Sequence, residues 1–395
     1  MKGTPSRLVL TSHCIVTPEG PVDGWLSVKG GVIDGLGPGR PPAVSSNDEV
    51  LHLSGRLLPG FIDLHVHGAG GASFDDGAAQ IHDAVAVHRS HGTTGTLVSL
   101  VTAPLSDLRI AIAAAGAAAA ADPRILGLHL EGPFLSPDRA GVHEPTALIH
   151  PTPAAVDQLL EAGEGRIRAV TVAPELPGGA AAVRQLVVAR VHAAIGHSDA
   201  GYDVARAAFD DGADLVTHAF NAMRPLHHRD PAIVGAAADA GDVVLEVIND
   251  GVHLHPGTVR LLQTLAPDRI ALITDAMAAA GGSDGCYHLG RAEVSVEAGV
   301  ARLTSGPAVG AIAGSTLTMD AALRHAVCEV GVDLTAAAAA ASTVPARLLG
   351  LDGSIGALAV GLRADVVVMD DDLAIEAVLL DGAWADDRRP RTRQD

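Results

Sequence analysis

The sequence is poor in basic residues and in cysteine. Its 27 Lys and Arg stand against 46 Asp and Glu, which gives a formal net charge of −19. Because so acidic a surface repels phosphate backbones and anionic lipids, we expect neither nucleic acid nor a membrane surface among its partners. The three cysteines, Cys14, Cys286 and Cys328, lie far apart, which is typical of reduced thiols in the cytoplasm rather than of a disulfide framework.

Long hydrophobic runs are also absent. The Ala-rich segment 111–121 is shorter than the stretch of about 18 apolar residues that spans a membrane. Thr11, Ser12 and His13 interrupt the N-terminal apolar run that a secretion signal requires. With 395 residues, 48% of them hydrophobic and 18% charged, the chain is too apolar to be disordered. We therefore expect a soluble cytoplasmic protein with one large domain and a smaller companion.

The central part of the chain alternates buried-strand runs with Ala-rich helical segments, for example at 80–90 and 106–121. This alternation is typical of βα units around a parallel sheet. Eight such strands predict an α/β fold of the (β/α)₈ barrel type. The predicted strands are 61–67, 95–101, 125–131, 167–172, 191–197, 215–218, 243–249 and 270–275.

Both ends of the chain carry short β-like runs separated by Gly and Pro turns, which predict a small antiparallel sheet. Neither end has enough strands for a stable sheet of its own, so we predict one β-sandwich domain from residues 1–57 and 351–395, with the barrel at 58–350. Two helical stretches, 315–331 and 335–350, close the barrel segment. The N-terminal runs are 8–10, 14–16, 25–28, 31–33 and 50–53, and the clearest C-terminal run is 364–369.

Two histidines stand together at the end of the first predicted barrel strand. His65 and His67 are two residues apart, so on a strand both imidazoles point to the same face, where one metal ion can take both. Alone, such a pair is equally well explained by packing or surface histidines. Further strand ends carry residues that bind divalent cations, namely Glu131, His197, His218 and Asp275.

These six residues converge on one cavity, because the carboxyl ends of all barrel strands open onto the same mouth. Any one of them could end a strand for solvation or capping, but six together indicate a metal centre. Histidine and carboxylate ligands without a thiolate favour zinc or another first-row divalent ion in a catalytic site. Such an ion lowers the pKa of bound water to roughly 7 for hydrolysis, and Asp275 is the candidate to take and return the proton.

Several longer segments are distinctive, and the resemblance that they carry covers essentially the whole chain. In order they read LPGFIDLHVHGAGG, LHLEGPFLSPDRAGVHEP, GHSDA, THAFNAMRPLHHRDP, INDGVHLHP and ITDAM. Together they resemble the amidohydrolase superfamily, and more closely its N-acetylglucosamine-6-phosphate deacetylase family. The resemblance implies a metal-dependent barrel flanked by a β-sandwich, and deacetylation of N-acetyl-D-glucosamine 6-phosphate to D-glucosamine 6-phosphate and acetate, with metal-bound water as the nucleophile.

The resemblance also implies roles for individual residues. Glu131, His197 and His218 would hold the main metal ion, and Asp275 would be the general base and acid. His253 would polarise the amide carbonyl or contact the sugar. The other implied substrate contacts are Val142, His143, Asn221, Ala222, Arg229, Asp250, Gly251, Val252, Ile312, Ala313 and Gly314.

The phosphate of such a substrate needs local donors in so acidic a chain. The turn at Asn221 and Ala222 can offer backbone N–H groups. Arg229 stands where the family has its phosphate arginine, which in relatives acts across the interface of a homodimer. A solvated loop charge is the other interpretation of Arg229.

The number of metal ions stays open. Some members of the family lack the first histidine pair and work with one ion, whereas this sequence retains His65 and His67, so a second ion bridged by Glu131 is an option. The fourth strand is followed by Ala173, Pro174 and Glu175 without a lysine, which argues against a carbamylated-lysine bridge.

Other functions are compatible with the same residues. The machinery would also suit N-acetylgalactosamine 6-phosphate, an N-acyl amino acid or a cyclic amide. From another class, some barrel relatives are non-catalytic scaffolds that assemble into oligomers after losing metal ligands. Every ligand position is filled here, which argues against a scaffold.

Overall fold

The structure is a computed structural model, and it describes residues 7–306 and 308–393. By contacts between residues, the chain divides into two compact units. One holds the described residues of Met1–Ile62, Arg89–Thr94 and Met319–Asp395, and the other holds those of Asp63–His88 and Gly95–Thr318. These limits differ from the predicted domain limits at 57/58 and 350/351.

A parallel sheet of eight strands, hydrogen bonded in chain order, forms a nearly closed barrel. This confirms the predicted (β/α)₈ barrel. The strands are short runs of Val, Ile, Leu and Ala that are buried on both faces, as expected of a sheet covered by helices. Numbered one to eight, they are Phe61–Asp63, Thr93–Val101, Ile125–Phe134, Ile167–Val172, His192–Ile195, Leu215–Val216, Val244–Ile248 and Ile270–Ile273.

One α-helix lies between each pair of successive barrel strands. Thr152 shows how such a helix begins, because its side chain accepts a hydrogen bond from the backbone N–H of Ala155, and Pro153 occupies the first turn. In the described part of the chain, no helix has the length and hydropathy needed to cross a bilayer. The helices are Ala78–Ser90, Leu105–Ala121, Pro153–Gly163, Gly179–Val188, Tyr202–Asp210, Ala232–Ala240 and Pro256–Leu265, with 3₁₀ turns at Phe74–Asp76, Pro137–Arg139 and Pro145–Ala147.

Several barrel strands end earlier in the structure than the sequence predicts. The first strand stops at Asp63, because the N–H of His65 donates to the Asp63 carboxylate and the N–H of Val66 donates to the Ser99 hydroxyl instead of to a neighbouring strand. His197, His218 and Asp275 have φ angles of 46°, 28° and 48° and lie on turns directly after strands five, six and eight. A positive φ is incompatible with a strand, so the prediction that these residues lie within strands is wrong. Glu131 does lie within strand three.

A three-stranded antiparallel sheet after strand eight was not predicted. Its strands are Gly285–Leu289, Ala292–Glu297 and Val300–Leu303, and Val294, Val296 and Leu303 bury their side chains in a small core. A short hairpin, Gly68–Ala69 with Ala72–Ser73, follows the first histidine pair. These strands are too short for periodicity to separate them from loops.

The other unit contains a second eight-stranded sheet to which both chain ends contribute, as predicted. The predicted runs 8–10 and 14–16 form one strand with an irregularity between Ser12 and Ile15. That strand pairs in parallel with two others, so the sheet is mixed, and the antiparallel prediction is wrong. The strands are Leu8–Thr17, Gly20–Lys29, Val32–Pro38, Glu49–His52, Arg56–Pro59, Val366–Met369, Ile375–Leu380 and Ala383–Trp384.

Short helices precede the C-terminal strands in the same unit. They do not begin at residue 315 as predicted, because Ser315 bridges to Ala276 in an extended conformation. The α-helical segments are Met319–His325, Leu334–Ala338 and Val344–Leu348, with π-helical turns at Ala326–Val330 and Ala339–Thr343.

Candidate metal centre and active site

Six buried side chains at the carboxyl end of the barrel form two groups suited to a metal ion. One group is Glu131, His197 and His218, and the other is His65, His67 and Asp275. Within each group the candidate ligand atoms lie within 4.8 Å of one another. The structure thus brings together all six residues expected at the barrel mouth.

The first group is centred on one carboxylate oxygen. Oε1 of Glu131 lies 3.0 Å from Nε2 of His197 and 3.0 Å from Nε2 of His218, and these two nitrogens are themselves 3.0 Å apart. Nδ1 of His197 donates to the backbone carbonyl of Arg139 at 2.8 Å. Because Nδ1 carries the proton, Nε2 offers its lone pair toward Glu131.

The second group adjoins the other oxygen of the same carboxylate. Nε2 of His65 and Nε2 of His67 are 3.0 Å apart, and they lie 3.5 and 3.3 Å from Oδ1 of Asp275. Oε2 of Glu131 is 3.2 Å from Nε2 of His67. Oε1 of Glu131 is also 3.6 Å from Nε2 of His65, so Glu131 faces both groups, as a bridging ligand would.

The donor set fits divalent cations. Two imidazole nitrogens 3.0 Å apart repel each other unless a proton or a cation lies between them, and each group holds such a pair beside a carboxylate. Imidazole and carboxylate ligands suit zinc and other first-row ions. The geometry of the two groups supports a bound divalent metal ion.

The electrostatics of the two groups point the same way. Burial lowers the pKa of His67, but hydrogen bonds to Asp275 and Glu131 outweigh it and raise this pKa to about 9. Burial raises the pKa of the Glu131 and Asp275 carboxyls, yet the attraction of His65 and the other neighbouring imidazoles holds both below their ordinary values. The site therefore places ionised carboxylates beside protonated imidazoles, and a bound cation would displace the imidazole protons.

A cavity of about 300 Å³ opens onto both groups, and Glu131, His197, His218 and Asp275 line it. Six of the predicted substrate contacts also line it, namely Val142, Asn221, Ala222, His253, Ile312 and Gly314. The cavity combines these polar groups with apolar walls, as small-molecule sites do.

The model of the amidohydrolase family matches residues 56–391. This chain belongs to the amidohydrolase family. It is 40% identical to the N-acetylgalactosamine-6-phosphate deacetylase of Escherichia coli O157:H7, over 95% of this chain and 99% of that protein. It is 37% identical to the N-acetylglucosamine-6-phosphate deacetylase of Homo sapiens, over 85% of each chain.

A solved structure is also closely similar to this amidohydrolase. It is a variant of the N-acetyl-D-glucosamine-6-phosphate deacetylase of Mycobacterium smegmatis in complex with N-acetyl-D-glucosamine 6-phosphate. The TM-score is 0.90 at 42% identity, and the match covers 96% of this chain and 99% of the other.

Other predicted contacts of the amidohydrolase lie near the cavity without lining it. Nε2 of His143 is 3.4 Å from Oε2 of Glu131, and the imidazole also lines a neighbouring cavity of about 320 Å³. Asp250 supports His253, because its Oδ2 accepts a hydrogen bond from Nδ1 of His253 at 2.7 Å. Gly251 and Val252 are exposed, and Ala313 is buried.

Arg229 is separate from the metal groups within one chain. Its side chain is exposed, contacts His228, and lines a different cavity with Tyr202 and Asp239. Arg229 thus does not line the cavity that Glu131, His197, His218 and Asp275 line.

Sequence reasoning missed several residues of the site. Gly141, Ile248, Leu289 and Ala311 line the cavity, and the unpredicted three-stranded sheet supplies Leu289. Glu246, on strand seven, contacts two of the candidate ligand residues, the His65 side chain and the His218 backbone. An acidic residue within an otherwise apolar buried strand was the available signal for Glu246.

Proposed function

We propose that this amidohydrolase deacetylates N-acetyl-D-glucosamine 6-phosphate to D-glucosamine 6-phosphate and acetate. The observation that carries the proposal is the buried Asp275 carboxylate, which belongs to one of the two candidate metal-binding groups and lines the same cavity as His253. The Mycobacterium smegmatis relative, whose complex contains that sugar phosphate, supports the choice of substrate.

Zinc is the proposed ion, because imidazoles and carboxylates without thiolates form the donor set. Glu131, His197 and His218 would hold the main ion, and His65 and His67, with Glu131 between the groups, would hold a second one. When bound, the ion supplies an activated water and polarises the acetamide carbonyl.

Asp275 moves the proton. Its lowered pKa keeps the carboxylate ionised near neutral pH, so it can accept a proton from the attacking water. As the C–N bond breaks, the same proton passes to the departing nitrogen, which leaves as an amine, while the added oxygen stays on the carbonyl carbon as acetate. Backbone hydrogen bonds from the Asp275 N–H to His65 and from the Ser315 N–H to Asp275 hold the residue in place.

His253 orients the acetamido sugar. Asp250 accepts from Nδ1 of His253, which leaves Nε2 to accept from a sugar hydroxyl when the ring is neutral, or to donate to the carbonyl oxygen when both nitrogens carry protons. The Asp250 carboxyl has a lowered pKa, because hydrogen bonding and attraction from His253 outweigh its burial. Asp250 therefore stays an acceptor and fixes this orientation across the neutral range.

The phosphate would meet the turn at Asn221 and Ala222, together with Arg229 of a second subunit. This arrangement requires a homodimer. We place the protein in the cytoplasm, where three unpaired cysteines are stable in the reduced state.

N-acetylgalactosamine 6-phosphate is the second candidate substrate. The Escherichia coli relative named for that substrate is 40% identical over nearly the full length of both chains. The two sugars differ only in the configuration at C4, and none of the contacts derived above addresses that hydroxyl.

Acetate release from both sugar phosphates and from unphosphorylated N-acetylglucosamine tests the proposal. The enzyme is assayed as purified, after chelation, and after addition of zinc. We expect turnover of the gluco phosphate that is lost with chelator and returns with zinc. Faster turnover of the galacto phosphate selects the second candidate, turnover of only an unphosphorylated acyl compound contradicts both, and no metal-dependent turnover favours the scaffold interpretation.

A further inference from the structure

Glu246 is a buried carboxylate that belongs to neither metal group. It lies on strand seven with 1% of its surface exposed. A buried carboxylate is costly unless hydrogen bonds satisfy it. Its Oε2 accepts two hydrogen bonds, one from Nδ1 of His65 and one from the backbone N–H of His218, each at 3.2 Å.

The first of these bonds decides which nitrogen of His65 faces the metal groups. Oε2 already accepts from the His218 N–H, and Nδ1 of His65 is the donor toward the same oxygen, so Nδ1 carries the proton. Nε2 is then the atom left to bind a cation, and it points at His67, Asp275 and Glu131 at 3.0, 3.5 and 3.6 Å. A carboxylate behind a metal-ligating histidine commonly fixes the ring in this way.

The second bond anchors the carboxylate. The backbone N–H of His218 is a fixed donor, and Ala219 N–H donates to the backbone carbonyl of Glu246 at 2.8 Å. Oε2 is therefore held at one point between the histidine of one group and the backbone of a histidine of the other.

His67, the other histidine of the second group, has no such hydrogen bond at its Nδ1. Nδ1 of His67 is buried and has no hydrogen-bond partner among the described residues. Within the His65 and His67 pair, only His65 thus has a side-chain partner at Nδ1, on the side of the ring away from the metal groups.

We propose that Glu246 is a positioning residue that sets His65 to bind the ion of the second group and ties that histidine to His218 of the first. The inference rests on the proposed metal-dependent function, and it adds a protein group on which binding of the second ion depends. If Glu246 served only to accept the hydrogen bond from the His218 N–H, its substitution would leave the metal content unchanged.

Two substitutions separate these roles. In Glu246→Gln the amide must turn its oxygen toward the His218 N–H, because its NH₂ group would meet another donor there. The same oxygen still accepts from His65, so only the charge is lost. Glu246→Leu removes both acceptors at similar volume. Thr171→Val is the matched control, since the Thr171 hydroxyl is equally buried but hydrogen bonds His129 and Thr217 and none of the six ligands.

Zinc content per subunit is measured by mass spectrometry after dialysis against graded concentrations of buffered free zinc. We expect two ions in the wild type, in Thr171→Val and in Glu246→Gln. In Glu246→Leu the second ion should bind about 10- to 100-fold more weakly, and the first ion should stay. Two ions of unchanged affinity in folded Glu246→Leu, or a single ion in the wild type, overturns the inference.

A second measurement needs no variant of Glu246. Nitrogen-15 NMR of the histidine rings, with His65 assigned through His65→Gln, reports which ring nitrogen carries the proton. We expect a proton on Nδ1 of His65 in the zinc-loaded wild type, and a proton on Nε2 contradicts the proposal even where Glu246→Leu fails to fold. Expected metal content without deacetylase activity would leave the positioning role intact and refute only the proposed reaction.

Discussion

Oδ1 of Asp275 lies 3.3 Å from Nε2 of His67. The carboxylate proposed to move the proton is therefore also a member of the second metal-binding group. The first group, in contrast, consists of Glu131, His197 and His218 without Asp275. Substitution of Asp275 should consequently affect proton transfer and the second ion, and leave the first group intact.

The Asp275→Asn variant tests the proton-transfer role. An amide cannot accept the proton from water at neutral pH, so we expect kcat for acetate release to fall by about 10²- to 10⁴-fold. Zinc bound by Glu131, His197 and His218 should remain, as measured by metal content. Asp76→Asn is the control, because Asp76 is exposed and outside the site. A rate close to that of the wild type would remove Asp275 from this role.

The His218→Ala variant tests the first group. The substitution removes one of three ligands and leaves Oε1 of Glu131 with a single imidazole neighbour at 3.0 Å. We expect the affinity of the first ion to fall by more than about 100-fold, since loss of a ligand costs at least as much as loss of a group behind one. Activity should return in part at high zinc concentration. The exposed His227, replaced by Ala, serves as the control, and an unchanged metal content in His218→Ala would exclude this ligand set.

Much of this site could be predicted because the strand topology determines where the site residues lie. His65, Glu131, His197, His218 and Asp275 are scattered along the sequence, yet a barrel carries the ends of all its strands to one mouth. Their residue types then indicate a metal centre. The barrel, the helices between its strands and the sheet shared by both chain ends follow from hydrophobic patterning in the same way.

Other features depend on contacts that no local pattern encodes. The positive φ angles of His197, His218 and Asp275 follow from tertiary hydrogen bonds, so sequence periodicity extended those strands too far. Glu246 is a single acidic residue whose two donors lie in the turns that follow two other strands. The position of Arg229 outside the cavity is likewise determined by the path of its loop, which the sequence pattern does not predict.

The metal-free protein should lose stability as the pH rises. The folded-state pKa of His67, about 9, lies above its ordinary value of 6.5, because hydrogen bonds to Asp275 and Glu131 outweigh the effect of burial. The folded state therefore binds this proton more tightly than the unfolded chain. The resulting stability is complete below pH 6.5 and is lost as the pH rises to about 9.

Thermal melting of the metal-free protein between pH 6.5 and 9 checks this expectation. The Tm should fall across the range, and it should fall less in His67→Gln, which lacks the group. The rise in Tm caused by zinc should grow across the same range, because zinc no longer has to displace the proton. Parallel melting curves for wild type and His67→Gln would show that His67 is not protonated in the folded state.

The last prediction concerns Arg229 and the phosphate. If the guanidinium of one subunit binds the phosphate held by the other, Arg229→Ala removes a hydrogen bond between charged groups worth about 1.5–3 kcal/mol. KM for the sugar phosphate should rise about 10- to 150-fold with little change for the unphosphorylated sugar. Arg184→Ala is the control, since Arg184 is an exposed arginine that pairs with Asp211 and lines neither cavity.

Mixed dimers decide which subunit supplies the arginine. A dimer that combines one Arg229→Ala subunit with one Asp275→Asn subunit contains one site with both native residues only if Arg229 acts across the interface. We therefore expect co-expressed, doubly tagged mixed dimers to recover turnover at the low KM of the wild type, which neither variant shows alone. A raised KM without recovery would place Arg229 in its own subunit's site, against the separation of the two cavities, and an unchanged KM would leave Arg229 as a solvated charge.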